Sequence, residues 1–382
     1  MKLLVIGAGM MGSSAAYDMA RCARVSDITI ADEDKKKAAE AARRVSKLTD
    51  KKVHAVGVNA SDRRQVIGLM KKNDGALSAV PYFFNEGLAE AAIEAKCHFA
   101  DLGGNNTVVR RELAMDKKAM KRGVRIAPDC GLSPGMASIL GGELMRRVGG
   151  KADSLKLYVG GLPQKPKKPF EYQLIFSVEG LINEYAEMAR VLRNGKIVEI
   201  EPLTEIEEFR VPGFPALEAF HTSGGTSTMP ETFGGKIGEC FEKTIRYKGH
   251  VAKIRALYDF GLFDKKPRKI GKVELSPRAM MADLMVEKFK GEQPDVTIMR
   301  IEAHTKKVIH AFTMVDKYDA RTRLTSMMRT TAWPASIVLQ MLVSGEVSKK
   351  GAVLQERDVP AEQFLAEMGA RGIEIHYGVS EK

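Results

Sequence analysis

The chain has 382 residues, more than a single hydrophobic core usually organises, so we expect two domains. Its formal charge of +12 favours acidic ligands such as a dinucleotide, but the Lys and Arg residues are scattered, which favours a solvated basic surface and no nucleic-acid partner. The four cysteines lie far apart and no apolar run approaches the roughly 18 residues of a membrane span. We therefore expect a cytoplasmic protein with no metal site, no disulfide framework and no membrane partner.

The first 128 residues alternate between short apolar runs and helical stretches. Residues 2–6 predict a strand, a glycine turn follows, and small and apolar residues at helical spacing predict the first helix. Five further buried strands are predicted from DITIAD, KVHAVGV, ALSAV, CHFADL and VRIAP. Six strands with crossover helices predict an α/β fold with a doubly wound (Rossmann) parallel sheet, whose ligand crevice lies at the carboxyl ends of the strands.

The pattern changes after Pro128, where a mixed α+β domain is expected. The run LSPGMASILGGELMRRV predicts a helix with Ser133 as its N-cap and Pro134 at its first position. Strands are then predicted from SLKLYVGGL, YQLIFS, KIVEI, ALEAF and the hairpin DVTIMRIEAHTKKVIHAFTMVD, and helices from LINEYAEMARVL, HVAKIRALYDF, PRAMMADLMVEKF and TAWPASIVLQMLVSG. We divide the chain into a dinucleotide-binding domain (1–128), a mixed α+β substrate domain (129–325) and C-terminal helices (326–382).

Three glycines form the pattern G-x-G-x-x-G between the first strand and the first helix. The first glycine permits the turn, the second lets the backbone approach a pyrophosphate, and the third allows close helix packing. The helix N-terminus adds N–H donors and the positive end of a dipole. Because a strand precedes the pattern and a helix follows it, we predict that a dinucleotide binds to the turn residues Gly7, Ala8, Gly9, Met10, Met11 and Gly12.

Asp32, at the end of the second strand, is the acid expected about twenty residues after the turn. It can accept hydrogen bonds from both ribose hydroxyls of NAD, and its charge repels the extra phosphate of NADP. We therefore expect NAD, although Lys35, Lys36 and Lys37 could neutralise a 2′-phosphate. Loops after the third and fourth strands face the same crevice and offer further cofactor-binding candidates: Asn59, Ala60, Val80, Pro81 and Asn85. Turn and helix-cap chemistry explains each polar candidate equally well.

Two acids follow the fifth and sixth strands. Asp101 begins DLGG and Asp129 precedes Cys130 in APDCGLSPG, so both carboxylates are expected in the crevice where a nicotinamide lies. A carboxylate there can orient a cationic amine, or take its proton if burial raises the pKa from about 3.9. Alternatively, Asp101 only caps the glycine turn that follows it and Asp129 is structural. No histidine adjoins Cys130, which we interpret as a small buried cysteine.

A loop after ALEAF combines a histidine, hydroxyls and two glycines in HTSGGTS, residues 221–227. Exposed backbone N–H groups and hydroxyl donors suit a carboxylate or a phosphate. Arg246, in KTIRYKGH, could form a bidentate pair with a carboxylate, and His250 stands nearby in the sequence. A lone histidine is more often structural, but the density of polar groups here favours a role of His221 in ligand binding.

These motifs resemble the saccharopine dehydrogenase-like NAD(P)-dependent oxidoreductases. The resemblance covers nearly the whole chain and is carried by VIGAGMMG, FNEGLAEAAIEA, DLGG, GLSPGM, YVGGLP, EYQLIFSVEGLINEY, EAFHTSGGTSTM, KTIRYKGH and VPAEQFLAEMGARGI. The motifs EAFHTSGGTST and KTIRYKGH resemble the lysine-oxidising branch. The cysteine in DCGLSPG is instead similar to the turn of the saccharopine-forming reductases.

The resemblance implies an enzyme that uses NAD to deaminate L-lysine at C6, giving ammonia and 2-aminoadipate 6-semialdehyde, which cyclises. It implies the catalytic residues Asp101, Asp129 and His221 and the substrate contacts Tyr82, Glu171, Tyr172, Thr222, Ser223 and Arg246. It also implies that the helix around Trp333 packs on the nucleotide domain and that the strand-rich domain pairs subunits in a homodimer or a larger homo-oligomer.

Two other functions stay open at this point. One is a saccharopine dehydrogenase-type condensation of an amino acid with the semialdehyde, which requires a wider pocket. The other is a module that senses NAD without turning it over, against which the polar density of the His221 loop argues.

Overall fold

The computed structural model describes residues 1–291 and 293–382. The strands are β1 Lys2–Ile6, β2 Asp27–Asp32, β3 His54–Gly57, β4 Gly75–Ser78, β5 His98–Asp101, β6 Arg125–Ala127, β7 Ser154–Pro163, β8 Ala189–Arg193, β9 Lys196–Ile200, β10 Glu207–Phe209, β11 Leu217–His221, β12 Glu239–Tyr247, β13 Arg268–Ile270, β14 Val273–Leu275, β15 Asp295–His304, β16 Val308–Lys317, β17 Gly351–Ala352 and β18 His376–Glu381. The helices are α1 Met10–Arg21, α2 Lys35–Thr49, α3 Arg63–Met70, α4 Asn85–Ala95, α5 Asn106–Ala114, α6 Asp116–Arg122, α7 Ala137–Arg147, α8 Val178–Ala186, α9 Met229–Phe233, α10 His250–Asp259, α11 Pro277–Phe289, α12 Ser326–Ser344, α13 Gln355–Asp358 and α14 Ala361–Ala370. None of the helices formed by these residues is both long and apolar enough to span a bilayer.

The first of two compact units contains residues 1–146, 320–324 and 328–375. Its sheet has seven parallel strands in the order β17-β6-β5-β4-β1-β2-β3. The apolar run Leu3–Ile6 of β1 is buried, as in parallel sheets that helices cover on both faces. The strand order reverses between β1 and β4, which opens a crevice at their carboxyl ends. This topology confirms the predicted doubly wound parallel sheet.

The end of the chain contributes to the core of this first unit. The ring of Trp333, on α12, stacks on the ring of Tyr17, on α1, with centroids 6.3 Å apart. Beside them the buried carboxylate of Asp18 accepts a hydrogen bond from the Ser336 hydroxyl at 2.7 Å and pairs with Arg371. A buried carboxylate is tolerated here because a cation and a hydroxyl compensate its charge.

The second unit contains residues 147–319, 325–327 and 376–382. Its mixed sheet runs β10-β11-β12-β7-β15-β16-β18, with β8 paired to β12 and β9 paired to β8. Strands β7 and β12 are parallel, whereas the other pairs are antiparallel. Helices α8, α10 and α11 share a hydrophobic cluster that includes Tyr185, Ile254 and Met285. The predicted mixed α+β architecture of the second domain is confirmed.

Three local predictions for the segment after Pro128 were wrong. Ser133 is extended (φ −149°) and Gly135 has φ +122°, so the helix begins at Ala137 and Ser133 does not cap it. The run YQLIFS forms no strand and instead contacts the end of α11, where the Leu174 N–H donates to the Phe289 carbonyl at 2.8 Å. Helix α8 ends at Ala186, and MARVL enters strand β8.

The sequence contains a hairpin turn directly after strand β8. The helical spacing of the residues before this turn led us to predict a helix there instead. The hairpin β8–β9 turns at Asn194 and Gly195, both with positive φ (50° and 72°). An Asn-Gly pair with two left-handed residues matches the right-handed twist of paired strands. The turn in RNGK therefore determines the structure of the residues before it, which form a strand although their apolar spacing is helical.

Helix α7 belongs to the first unit, so the division of the chain lies near residue 146, whereas the sequence places it at 128. Gly142 explains this grouping. A Cβ on Gly142 would lie 1.8 Å from the Glu356 carbonyl oxygen, so the backbones of α7 and α13 meet here and only glycine fits.

Candidate dinucleotide and substrate sites

The glycine turn joins β1 to α1 and fits a pyrophosphate. Gly7 has φ +106°, and a Cβ on Gly12 would lie 1.8 Å from the Gly7 carbonyl oxygen, so α1 packs directly on the turn. Gly9 caps α1 without a side-chain hydrogen bond, and no heavy atom of the described residues other than Gly9 and its chain neighbours lies within 4 Å of where its Cβ would be. The helix N-terminus therefore keeps open N–H donors and space for an anionic group.

Asp32 connects this turn to the end of β2. Its Oδ2 accepts a hydrogen bond from the Ala8 N–H at 2.7 Å, and its Oδ1 accepts one from the Asp34 N–H at 3.0 Å. A carboxylate has about four lone-pair sites, so both oxygens can still accept ribose hydroxyls. The Lys37 ammonium lies 3.9 Å from Oδ2 and offsets part of the negative charge.

The other residues predicted to bind the cofactor divide into two groups. The side chains of Asn59 and Asn85 are engaged locally: Asn59 accepts from the Ser61 N–H at 2.8 Å, and buried Asn85 accepts from the Ser78 hydroxyl at 2.7 Å. Val80 lies at the glycine turn, 3.1 Å from where a Cβ on Gly7 would be. At least part of each remaining side chain is accessible: Met10, Met11, Ala60 and Pro81. The side chain of Tyr82, predicted as a substrate contact, is also partly accessible.

Asp101, the last residue of β5, is fully buried. Its Oδ1 accepts hydrogen bonds from the N–H groups of Gly103 at 2.6 Å and Asp129 at 3.2 Å. The expected turn-capping role is therefore present, but it occupies only one of the two oxygens. Burial raises the pKa of Asp101 to about 6, against the lowering effect of its hydrogen bonds. Such a group is ionised at neutral pH, and the raised pKa makes it a stronger base than an ordinary carboxylate.

Glu112, on α5, is a site residue that the sequence analysis missed. It is 1% exposed, and its Oε2, like Oδ2 of Asp101, is buried with no hydrogen-bond partner among the described residues. Burial, reinforced by the neighbouring charge of Asp101, raises the pKa of Glu112 far above the carboxyl range. A signal was present in the sequence, because Glu112 follows buried Val109 by three residues and so lies on the same helix face.

Asp129 and Cys130 follow β6. Asp129 is buried with φ +59°, and its Oδ1 lies 1.7 Å from where a Cβ on Gly103 would be, which reserves that position for glycine. The Cys130 sulfur contacts the Gln355 amide nitrogen at 2.7 Å, and burial raises the pKa of the thiol. Cys130 is thus the buried, unreactive cysteine that the sequence indicated.

In the second unit, Arg246 of β12 lies in a buried aromatic cluster. Its Nε donates to the Tyr185 hydroxyl at 3.1 Å, its Nη2 lies 3.6 Å from a Glu184 carboxylate oxygen, and its guanidinium lies 5.0 Å from the Tyr172 ring centroid. The Tyr185 hydroxyl also meets His250 Nε2 at 3.0 Å. The Tyr172 hydroxyl is buried and has no hydrogen-bond partner among the described residues. A cation beside an unused phenol suits the carboxylate of a ligand.

His221 ends β11 and is fully buried, with an acceptor oxygen near each ring nitrogen. A neutral ring has one N–H and donates to only one of these oxygens. Its Nδ1 lies 3.2 Å from the Glu242 carbonyl oxygen, and its Nε2 lies 3.2 Å from a Glu205 carboxylate oxygen. Burial lowers the pKa of His221 and thereby favours the neutral ring. The structure thus places the predicted catalytic histidine inside the sheet as an anchor of the loop that follows.

Thr222 borders a buried carboxyl group that the sequence analysis also missed. Its hydroxyl donates to Glu242 Oε2 at 3.1 Å and meets the Thr244 hydroxyl at 2.7 Å. Burial, together with the charge of Glu184, raises the pKa of Glu242 to about 8. Burial likewise raises the pKa of Glu184 to about 7, and Arg246 acts against this shift. Two acids with raised pKa values therefore accompany the predicted hydroxyl.

The two remaining substrate candidates of the second unit lie at the margins of this cluster. Glu171 forms an ion pair with Lys253 at 2.6 Å, which occupies its carboxylate. Ser223 is half-buried, and its N–H donates to the Glu184 carbonyl at 3.0 Å. The structure thus brings Tyr172 and Arg246 together, places Thr222 with Glu242, and engages Glu171 elsewhere.

Comparison with known protein families identifies both halves of the chain. Residues 3–126 match the family described as saccharopine dehydrogenase NADP binding domain, and residues 131–373 match the saccharopine dehydrogenase C-terminal domain. The chain belongs to the saccharopine dehydrogenase family. This confirms the resemblance in its motifs, and it indicates a nicotinamide dinucleotide cofactor without distinguishing NAD from NADP.

Individual members of the saccharopine dehydrogenase family are distant in sequence. Saccharopine dehydrogenase [NADP(+), L-glutamate-forming] of Schizosaccharomyces pombe is 25% identical over 235 residues, which cover 59% of this chain and 50% of the relative. Mitochondrial alpha-aminoadipic semialdehyde synthase of Rattus norvegicus is 23% identical over 301 residues, covering 74% of this chain and 31% of the relative. The chain thus aligns with half or less of the length of these curated relatives.

Solved structures support the family fold. The apo saccharopine dehydrogenase (L-Glu forming) of Saccharomyces cerevisiae superposes with a TM-score of 0.78 at 17% identity, covering 99% of both chains. Homospermidine synthase of Legionella pneumophila, solved in complex with NAD, gives a TM-score of 0.69 at 11% identity, covering 100% of this chain and 91% of that one. At these identities the likeness shows the fold.

Proposed function

We propose that this saccharopine dehydrogenase family member uses NAD to deaminate L-lysine at C6. The observation that carries the proposal is Asp101, a buried carboxylate at the crevice of the dinucleotide-binding sheet with one oxygen fixed by two N–H groups and a pKa raised to about 6. Such a group can hold a cationic amine and accept its proton. The family relation supports amino-acid chemistry, since the relatives above are named for saccharopine and alpha-aminoadipic semialdehyde.

The reaction requires a base before it can start. The ε-amine of lysine has a pKa of about 10.4, and hydride can leave C6 only when the nitrogen has a lone pair. Asp101 takes the ammonium proton, and the nitrogen lone pair forms a C=N bond while the C6–H electron pair departs as hydride. The nicotinamide, when bound, supplies the hydride acceptor. Water then adds to the imine carbon and ammonia leaves, which gives the semialdehyde.

The aromatic cluster of the second unit contains groups suited to an amino acid. Arg246 and the unpartnered Tyr172 hydroxyl can bind the α-carboxylate, and Glu184 can attract the α-ammonium group. The raised pKa values of Glu184 and Glu242 support this assignment, because a bound cation would favour their ionised forms. Two acids in this cluster agree with a cationic substrate despite the basic charge of the whole chain.

A substrate panel tests the proposal directly. The protein is incubated with NAD or NADP and with lysine, ornithine, saccharopine or no amine at alkaline pH, and the absorbance of the reduced nicotinamide is followed. We expect turnover with lysine and ammonia in an amount equal to the reduced cofactor. Reduced cofactor from saccharopine alone would contradict the lysine assignment.

The second candidate is a saccharopine dehydrogenase-type reaction, favoured by the names of the matched relatives and by the yeast structure. It predicts that the semialdehyde and glutamate together oxidise the reduced cofactor, and that omitting glutamate abolishes the reaction. A module that only senses NAD predicts cofactor binding without any product. The panel and the glutamate dependence together separate these functions.

We propose NAD as the cofactor because the negative charge of the Asp32 carboxylate would repel the 2′-phosphate of NADP. Changing Asp32→Asn removes that charge, and we expect kcat/KM for NADP relative to NAD to rise about tenfold, which corresponds to ~1.4 kcal/mol. Steady-state kinetics with both cofactors measures the ratio. The matched control is Glu33→Gln at the exposed neighbouring position, for which the ratio should not change. An equal ratio in both variants would refute the role of Asp32.

We also propose that the second unit pairs copies of the chain in a homodimer or a larger homo-oligomer. The hairpin β13–β14 supports this, because it belongs to neither large sheet and exposes Ile270 (64%) and Val273 (57%). An isolated two-stranded hairpin is only marginally stable in water. Light scattering of the purified protein measures the oligomeric state, and Ile270→Lys should shift it toward the monomer.

A further inference from the structure

A series of hydrogen bonds in the second unit leads from a backbone carbonyl to the guanidinium of Arg246. His250 Nδ1 lies 2.8 Å from the Phe170 carbonyl oxygen, and its Nε2 lies 3.0 Å from the Tyr185 hydroxyl. The same hydroxyl accepts a hydrogen bond from Arg246 Nε at 3.1 Å. Tyr185, His250 and Arg246 are 0%, 1% and 3% exposed, so the series is shielded from water.

The chemistry of the groups fixes the direction of each bond in this series. A carbonyl oxygen only accepts, so Nδ1 of His250 carries the proton that it donates to Phe170. A second buried cation beside the Arg246 guanidinium would be costly, and burial together with that charge lowers the pKa of His250 to about 3. The ring is therefore neutral with Nε2 as an acceptor, which makes the Tyr185 hydroxyl the donor. The Tyr185 oxygen in turn accepts from the guanidinium, which can only donate.

The first turn of α10 holds His250 at its place in the series. His250 is the first residue of α10, and the preceding Gly249 has no side chain to cap the helix. Glu218 of β11 supplies the cap, because its two carboxylate oxygens accept the N–H groups of Gly249 at 2.9 Å and of Val251 at 2.7 Å. Glu218 lies directly opposite Arg246 in the pairing of β11 with β12. The carboxylate opposite Arg246 is thus engaged by α10.

Hydrogen-bonding capacity remains on the Nη2 side of the guanidinium. Arg246 Nη1 donates to the Ile245 carbonyl at 3.0 Å. Nη2 makes no hydrogen bond with the described residues and lies 3.6 Å from a Glu184 carboxylate oxygen, beyond hydrogen-bond length. Beside it, Tyr172 is 7% exposed, its hydroxyl has no partner among the described residues, and its ring centroid lies 5.0 Å from the guanidinium. A cation with a spare N–H group next to an unused hydroxyl suits a carboxylate.

We propose that His250 is a positioning residue for the binding of an α-amino acid. Its Nε2 acceptor orients the Tyr185 hydroxyl, and that hydroxyl orients Arg246. Nη2 of Arg246 and the Tyr172 hydroxyl then bind the carboxylate of the ligand. The inference deepens the proposed function and rests on it for the class of ligand. His250 and Tyr185 act only through Arg246 and do not contact the ligand.

Three variants test the series one group at a time. Tyr185→Phe removes the hydroxyl, His250→Phe keeps a flat ring without an acceptor, and His250→Gln keeps an acceptor oxygen near the position of Nε2. We expect KM for lysine to rise about tenfold in the first two variants and to stay within about threefold of the wild type in His250→Gln. In all three, kcat should stay within about threefold of the wild type, because the series affects binding alone.

The matched control is Tyr258→Phe on α10, whose hydroxyl makes no hydrogen bond with the described residues, and it should have the KM of the wild type. Equal KM values in all the proteins would overturn the proposal, as would equal losses in His250→Gln and Tyr185→Phe. Urea unfolding checks the fold of each variant. If His250→Phe does not fold, Tyr185→Phe and His250→Gln decide the test.

A second measurement needs no turnover and so separates this inference from the proposed function. L-norleucine has the α-carboxylate of lysine but no ε-amine, and calorimetry in the presence of NAD measures its dissociation constant. We expect this constant to rise about tenfold in Tyr185→Phe and to stay unchanged in Tyr258→Phe. No binding by the wild type, or equal constants in both variants, would overturn the inference. Weaker binding in Tyr185→Phe without any oxidation of lysine would support the carboxylate site and reject only the proposed reaction.

Discussion

At the scale of single residues, the structure separates two candidates that the sequence treated alike. Asp101 and His221 are both fully buried, but each ring nitrogen of His221 lies 3.2 Å from an oxygen of the second unit, whereas N–H donors of the described residues hold only one oxygen of Asp101. A group with its polar atoms already engaged has little left to offer a substrate. We therefore propose Asp101 for the acid–base chemistry and interpret His221 as an anchor of the loop that begins at Thr222.

The first prediction concerns Asp101 itself. Asp101→Asn keeps the shape of the side chain but cannot accept a proton, so we expect kcat to fall by about 10²–10³, equivalent to roughly 2.7–4 kcal/mol. Cofactor affinity, measured by nicotinamide fluorescence, should change little because Asp101 is not placed among the ribose or pyrophosphate contacts. Asp283→Asn, on the exposed side of α11, serves as the control. A kcat loss of less than threefold would exclude Asp101 as the base.

At the scale of elements, the packing of α1 on the glycine turn makes Gly12 irreplaceable. A methyl group at Gly12 would meet the Gly7 carbonyl oxygen, so Gly12→Ala should cost about 1–3 kcal/mol of stability and abolish dinucleotide binding. The matched control is Gly68→Ala in α3, where no described atom outside the adjacent residues and backbone of the helix itself lies within 4 Å of the new methyl group. That control should be neutral or stabilise the protein by about 0.5–1 kcal/mol. Urea unfolding and cofactor titration measure both effects.

A second prediction at this scale concerns strand β12, which carries the buried carboxyl group of Glu242 between Thr222 and Thr244. Its folded pKa of about 8 exceeds the unfolded value of about 4.3, so the folded state binds the proton more tightly. The stability that this proton contributes is complete below about pH 4.3 and is lost as pH rises toward 8. Glu242→Gln does not titrate, and its stability relative to the wild type should therefore rise between pH 5 and 8.5 by on the order of 2 kcal/mol.

Thermal unfolding across this pH range measures the effect. The control is Glu199→Gln on the exposed side of β9, for which the difference from the wild type should not vary with pH. A constant difference for Glu242→Gln as well would mean that Glu242 is ionised in the folded protein throughout the range.

At the scale of the whole molecule, the single tryptophan of the sequence reports on one unit. Trp333 stacks on Tyr17 inside the unit that contains the glycine turn. NAD at one hundred times its dissociation constant stabilises that unit by about 2.7 kcal/mol, so the midpoint of Trp333 fluorescence on heating should rise by roughly 5–10 °C. Gly12→Ala should abolish the shift. An unchanged midpoint in the wild type would contradict dinucleotide binding to this unit.

Sequence patterns predicted the first unit well because its signals are local and agree with one another. Buried apolar runs, a glycine turn and Asp32 all follow within one strand–helix–strand segment, and each finds its expected place. The site of the second unit was harder to predict from the sequence, because the interactions that form it join residues that are distant in sequence. Glu242 meets Thr222 across two strands, and the Arg246 guanidinium lies over the Tyr172 ring some seventy positions earlier. Glu112 was missed for the same reason, since only the folded helix brings it to Asp101.

The pairing of β18 with β16 has a practical consequence for handling the protein. Residues His376–Glu381 match Val308–Thr313 in register and cover the outer border of the large mixed sheet. Trimming them would bare a row of amide and carbonyl groups along β16, a template on which other molecules could stack into aggregates. A fusion partner attached directly after Lys382 would disturb the pairing of β18 with β16, so a flexible spacer should separate the partner from this strand.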